Sequence, residues 1–158
     1  MAKALVVYDS VTGHTAKMAK AIGEGLSEAG LIVNVKKIAD TNLDDFVAAD
    51  AIVMGSPTYF SNMTAKTKLL IDKTVKLWPG EPGQLKDKVG AAFTSCAGAE
   101  GGNETTLLSI IRSLLWHGMV IVGHQSGSCG AISVEEPDEQ CLTGCRQFGQ
   151  RIAGFVKK

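Results

Sequence analysis

A chain of 158 residues is long enough for one domain with a buried core and short for two. Its 16 basic and 16 acidic side chains cancel. That leaves no basic excess to hold nucleic acid, and no acidic excess of the kind that steers charged electron carriers to their partners. Apolar residues make up 45%, an ordinary globular share, with no apolar run of about eighteen residues to span a membrane.

The chain alternates apolar runs with helical periodicity. Residues 4–8 read as a first strand, apolar throughout as a strand covered on both faces should be. A helix is expected over 13–29, with Met18, Ala19, Ile22 and Leu26 on one side and Gly30 as its stop. Residues 31–38 form a second strand whose polar alternation suits a sheet edge, and 43–48 a short helix capped from Asn42. A third strand covers 51–54, a loop 57–62, and a helix 63–77, followed by a turn-rich segment over 78–83. A fourth strand spans 88–94, a glycine-rich loop 95–102, a helix 103–117 and a fifth strand 119–122. A long loop over 123–136 precedes a last helix from Pro137 to about Val156.

Five strands alternating with helices, without repeat or linker, predict a single α/β domain over 1–158 with a parallel sheet. Ligands of such sheets lie beyond the C-terminal strand ends, where the strand order reverses. Three loops leave those ends, at 10–15, 56–62 and 95–102, and all are rich in Ser, Thr, Asn or Gly. They are expected to converge on one site.

The first of them reads Ser10-Val11-Thr12-Gly13-His14-Thr15. It lies between a strand and a helix start, so free amides, the helix dipole and three hydroxyls suit a phosphate. No lysine follows Gly13, which excludes a Walker-type nucleotide loop, and there is no Gly-x-Gly-x-x-Gly. A nest for a phosphate monoester remains; from this loop alone, plain helix capping by Ser and Thr stays open beside it.

This loop resembles the FMN phosphate loop of the flavodoxin superfamily. Pro57-Thr58-Tyr59-Phe60-Ser61-Asn62 resembles the second flavin loop of the WrbA-like NAD(P)H:quinone oxidoreductases. Thr94-Ser95-Cys96-Ala97-Gly98, with Gly101 and Gly102, is similar to that family's third loop, and His117-Gly118-Met119 and Leu77-Trp78 match as well. The resemblance covers about residues 4–123. It implies a flavodoxin-like three-layer sandwich, five parallel strands in the order 2-1-3-4-5, and bound FMN. It assigns the phosphate to Ser10, Val11, Thr12, Gly13, His14 and Thr15. The ribityl chain and ring fall to Pro57, Thr58, Tyr59, Phe60, Ser61 and Asn62 and to Thr94, Ser95, Cys96, Ala97, Gly98, Gly101 and Gly102. Tyr59 and Phe60 suit an apolar wall for the ring. Trp78 matches a tryptophan lining the substrate pocket, and His117 a histidine that approaches the flavin of a neighbouring subunit. A core or helix-end role for Trp78, and a C-terminal cap for His117, stay open.

The activity so implied passes electrons from NAD(P)H to a quinone-like acceptor. A flavodoxin-type carrier between redox proteins and a flavin-binding sensor are the alternatives. A dimer or tetramer is part of the resemblance, but Thr12 replaces a family aromatic and 123–133 does not align, which leaves nicotinamide handling and assembly open. Residues 1–3 lead straight into a strand, so no leader is expected and the location is expected to be cytoplasmic. Cys96, Cys129, Cys141 and Cys145 form neither a disulfide scaffold nor a compact cluster, so no metal site is expected. Cys141 and Cys145 are expected to be buried thiols, Cys96 a small space-filler, and Lys66, Lys68, Glu135 and Glu136 solvated surface.

Overall fold

The computed structural model describes residues 1–78 and 83–156. Its elements in chain order are β1 (Lys3–Tyr8), α1 (His14–Glu28), β2 (Ile32–Lys37), α2 (Leu43–Ala48), β3 (Ala51–Tyr59), β4 (Asn62–Met63) and α3 (Ala65–Lys73). A 3-10 turn at Thr74–Leu77 follows, then β5 (Val89–Cys96), α4 (Asn103–Trp116), β6 (Val120–Ile121), β7 (Ala131–Val134) and α5 (Glu139–Val156).

The strands run parallel in the order β2-β1-β3-β5-β6, which is the flavodoxin-like order. Alternation of side chains across each strand divides the apolar residues between two layers. Ala4 and Val6 of β1, Val53 of β3 and Phe93 of β5 face α1 and α5, where they meet Met18, Ile22, Phe148 and Ile152. Leu5 and Val7, Ile52 and Met54, and Ala92 face the other helices, where they meet Phe46, Leu70, Leu107 and Ile110. All of these are essentially inaccessible, and each fully buried large side chain contributes about 1.5–3 kcal/mol. β2 is the edge strand, with an exposed or partly exposed face throughout.

Three segments depart from the sequence-based expectation. The region expected as a loop over 123–136 contains β7. β6 pairs with the first half of β5 (Val89↔Val120) and β7 with its second half (Phe93↔Ala131 to Cys96↔Val134), so the fifth position of the sheet is filled by two segments. The unpaired half of β5 would otherwise be an open edge, and Ala131 and Ser133 are buried against it. The expected loop at 57–62 is a hairpin: β3 runs on to Tyr59, and β4 returns antiparallel through Thr58↔Met63 and Tyr59↔Asn62. The helix expected over 63–77 begins only at Ala65, capped by Thr64, and tightens to 3-10 after Lys73. Of the turn-rich segment expected after Leu77, positions 79–82 lie outside the described residues. The last helix starts after Asp138, whose carboxylate accepts a bond from the Cys141 amide at 2.8 Å.

The closest helix packing joins α1 and α5 through glycine. A Cβ on Gly25 would lie 1.9 Å from the Arg146 carbonyl oxygen, and one on Gly149 would lie 2.3 Å from that of Ile22. These contacts are with backbone, which cannot step aside. Gly149→Ala should therefore cost about 1–3 kcal/mol or more through overpacking. Gly154→Ala, on the same helix with nothing within 4 Å of the new carbon, should be neutral or stabilise by up to about 1 kcal/mol. Urea unfolding of both variants checks this: the midpoint should fall for the first only, with an unchanged slope.

Candidate functional site

The first loop turns through Gly13, whose φ of 97° is left-handed and costs nothing without a side chain. The Ser10 hydroxyl accepts bonds from the amides of Gly13 at 3.2 Å and Ala16 at 3.3 Å. The amides of Val11, Thr12, His14 and Thr15 have no protein partner among the described residues. Four amides without a protein partner at the start of a 15-residue helix are the groups that an anion nest requires. Lys17 in the next turn is committed to Glu136 and holds that carboxyl below the usual range. The Thr15 hydroxyl turns inward instead, 2.8 Å from that of Ser95 at the end of β5.

The second and third loops meet over the ends of β3 and β5, where Ser56 pairs with Thr94 and Pro57 with Ser95. The Thr94 hydroxyl donates to the Ser56 carbonyl at 2.7 Å, and Thr58 lies 2.8 Å from Thr94 and 2.9 Å from Thr106. At the hairpin tip Phe60 and Ser61 both have left-handed φ, 50° and 60°, a conformation worth about 1–2 kcal/mol against each side chain. Gly102 closes on that tip: a Cβ there would lie 2.4 Å from the Ser61 side chain.

Together the loops enclose a cavity of about 410 Å³, within the range of small-molecule sites. Val11, Thr12 and His14 line it from the first loop, Pro57, Thr58 and Tyr59 from the second, and Ser95, Cys96 and Ala97 from the third. Ser10, Gly13, Thr15 and Thr94 stand behind this wall and hold it. Gly98 lies beyond Cys96, whose thiol donates to the Gly98 carbonyl, and Gly101 and Gly102 carry the loop to α4. Asn62 fixes the hairpin by accepting from the Met63 amide. Phe60 does not line the cavity; its ring is fully exposed at the tip. Glu135 is exposed as expected, and it also lines the cavity. Its amide donates to the Cys96 carbonyl at 2.7 Å, so the residue is placed by β7, a strand whose pairing no local signal announced.

Trp78 and His117 lie elsewhere. α4 begins beside the cavity at Asn103 and runs 14 residues antiparallel to the strands, about 21 Å, so His117 at its far end sits at the opposite edge of the sheet. There its Nε2 is 2.8 Å from the Thr74 hydroxyl. Trp78 packs against it, with ring centroids 5.7 Å apart, and against Trp116 at 6.2 Å. The four cysteines are free. Cys145 is buried and Cys141 only half-buried; a bond from the Cys145 thiol lowers Cys141 to about 7 and raises Cys145 itself.

Burial lowers the pKa of His117, and of His124 where it meets Phe148 edge-on. The unfolded chain's histidines titrate near about 6.5 and so take up protons before the folded ones do. Their contribution to stability is complete above about pH 6.5 and is lost as pH falls through the folded values. Urea unfolding at about pH 7.5 and about pH 5.5 should show a lower midpoint in acid, and a smaller drop in His117→Gln; an unchanged drop in that variant would contradict the assignment.

The geometry fits FMN: a nest of free amides for a terminal phosphate, hydroxyls along a cleft, and Tyr59 beside glycine-rich backbone. Comparison with known proteins points the same way. The model of the NADPH-dependent FMN reductase family matches residues 43–131. A NAD(P)H dehydrogenase (quinone) of Archaeoglobus fulgidus is 37% identical over 191 positions, covering 100% of this chain and 99% of the relative. One of Azorhizobium caulinodans is 40% identical over 198 positions, covering 100% and 98%. Both alignments are longer than 158 residues, so the relatives carry segments that this chain lacks. The flavodoxin-like WrbA-like protein of Agrobacterium tumefaciens superposes with a TM-score of 0.87 at 28% identity, over 99% of this chain and 98% of that one. The chain thus belongs to the NADPH-dependent FMN reductase family, as a flavodoxin-like, WrbA-type, FMN-binding oxidoreductase.

Proposed function

We propose that this chain takes electrons from NAD(P)H and passes them to a quinone-like acceptor at a flavin held in the three-loop cavity. The observation that carries the reading is the set of unpartnered amides at Val11, Thr12, His14 and Thr15, opening onto a cavity that Tyr59 and Ala97 also line. FMN, when bound, supplies the redox chemistry itself. The chain's own part is to bind and orient. The first-loop amides and the Thr12 hydroxyl would hold the phosphate, with the dipole of α1 behind them. The Thr58–Thr94–Thr106 hydroxyls fix the cavity floor, and Tyr59 offers a flat apolar surface for the ring. Cys96 and Ala97 would offer backbone to the ring's polar edge.

Within one chain Trp78 and His117 stand too far from this cavity to touch substrate there. Their role in the reaction requires a second copy that presents its far edge to the first. Trp116 is 72% exposed, and Leu115 and Val75 more than half exposed beside Trp78. This patch is the surface through which the copies would meet, as a dimer or tetramer. The half-buried imidazole of His117, its pKa lowered by burial, would then offer a hydrogen bond to an acceptor oxygen. A cytoplasmic location belongs to the same proposal: Cys141 and Cys145, four residues apart on one helix, are poorly placed to pair and are kept as thiols in a reducing compartment. Among the described residues no helix is long and apolar enough to cross a membrane.

Anaerobic addition of NAD(P)H should bleach the visible absorbance of the FMN-loaded protein, and benzoquinone should restore it; a flavin that neither nicotinamide reduces would refute the activity. Thr12→Val removes one hydrogen bond to a charged phosphate. It should weaken FMN by about 10- to 100-fold and leave riboflavin unchanged, as read by quenching of flavin fluorescence. Equal loss of both ligands would refute the phosphate assignment.

A further inference from the structure

A second cavity lies beside the first, at the β2–β1 side of the same sheet edge. Its volume is 460 Å³. It opens between the end of β1, the 3-10 turn Ile38–Asp40 that follows β2, and the outer face of α3. Ser10 lines this cavity and not the first, and none of the residues of the second and third loops reaches it. Its floor is apolar and partly aromatic, built from Tyr8, Ile38, Leu69 and Leu70. Leu69 is 57% exposed there.

Three lysines line this cavity from three separate places: Lys37 at the end of β2, Lys66 in the first turn of α3 and Lys73 in its last. Several other described cations are matched by acceptors. Lys17 pairs with Glu136, Lys20 with Glu24, Lys36 with Asp45 and Lys68 with Asp72, and Arg146 bridges Glu24 and Glu139. Lys88 is bound by the carbonyls of Phe46, Val47 and Ala49. Lys37, Lys66 and Lys73 have no carboxylate within ion-pair distance among the described residues. The one carboxylate lining the cavity, Asp9, is engaged by the Thr64 hydroxyl at 2.7 Å. Three ammonium groups against the single Asp9 carboxylate leave the cavity with a cationic excess, in a chain of zero net charge, that an anion would relieve.

We propose that this cavity is a separate site for a phosphate or phosphoanhydride carried on a flat apolar group, the chemistry of a nucleotide. The lysines meet the phosphate oxygens as mobile point charges, and the apolar part lies on Ile38, Leu69 and Tyr8. The cavity has the size and the mixed lining of small-molecule sites. It does not depend on the flavin reading, because no residue of the second or third loop takes part.

Calorimetric titration of the protein, with saturating FMN present, tests this with three probes: 1-naphthyl phosphate, adenosine diphosphate and inorganic phosphate. One molecule of an aromatic phosphate per chain should bind, more weakly as salt is raised, and inorganic phosphate should bind at least about tenfold more weakly, having no apolar part. The triple variant Lys37→Gln, Lys66→Gln, Lys73→Gln should lose at least about tenfold in affinity with its FMN affinity unchanged. Leu69→Asp, at an exposed position, should abolish binding independently. No heat from any probe overturns the proposal, as does binding that survives the lysine changes. Equal affinity for inorganic phosphate overturns the apolar part of the assignment. Binding seen without FMN but lost at saturating FMN places the ligand in the first-loop nest and overturns the separate site.

Discussion

The molecule depends on how an apolar sheet ends. β1, β3 and β5 are buried on both faces, and a wholly apolar strand offers nothing to a polar ligand. The transition is made by buried hydroxyls across the C-terminal edge. Ser56, Thr94 and Thr106 are inaccessible, Thr15, Thr64 and Ser95 nearly so, and every one has a hydrogen-bond partner. No described buried side-chain nitrogen or oxygen is left unsatisfied. Each such hydroxyl would cost about 1–3 kcal/mol if orphaned, so the lattice tolerates few arrangements. It holds the three loops in fixed relation, and it leaves the first-loop amides as the polar groups still open to a ligand.

The same topology separates the two groups of candidate site residues. Right-handed crossovers return each helix antiparallel to the strands, so whatever begins α3 or α4 lies at the cavity and whatever ends them lies at the far edge. Thr64 and Asn103 are at the near end; Thr74, Trp78 and His117 are at the far one. The Thr74–His117 hydrogen bond and the two tryptophans form a rigid, exposed cluster that a single chain cannot bring to its own cavity. The sheet edge itself is divided as well. The three loops proposed to hold the flavin occupy the β1–β3–β5 part, and the lysine-lined cavity occupies the β2–β1 part.

Much of this was legible residue by residue. Apolar runs and helical periodicity located ten of the twelve strands and helices, because burial on both faces of a parallel sheet leaves little choice of residue. The glycine and hydroxyls of the first loop marked the nest, since free amides at a helix start are a local property. Other features were not legible. Ala131 to Val134 pairs only because the second half of β5 lacks a neighbour. Phe60 and Ser61 carry left-handed backbone at a hairpin tip where glycine or asparagine is the usual signal. Glu135 reaches the cavity only because β7 delivers it, and Lys66 lines the second cavity where Lys68, two residues on, pairs with Asp72.

The sequence by itself determined the alternation of strand and helix, the layer architecture, the anion nest at 10–15 and the glycine-rich third loop. Each is set by contacts within a few residues or by which face must be apolar. The tertiary structure alone decided the split fifth strand, the close crossing of α1 and α5 at Gly25 and Gly149, the distance of His117 from the cavity and the gathering of three unpaired lysines. These depend on pairings between residues far apart in the chain, where geometry and charge balance are settled only once the layers have closed.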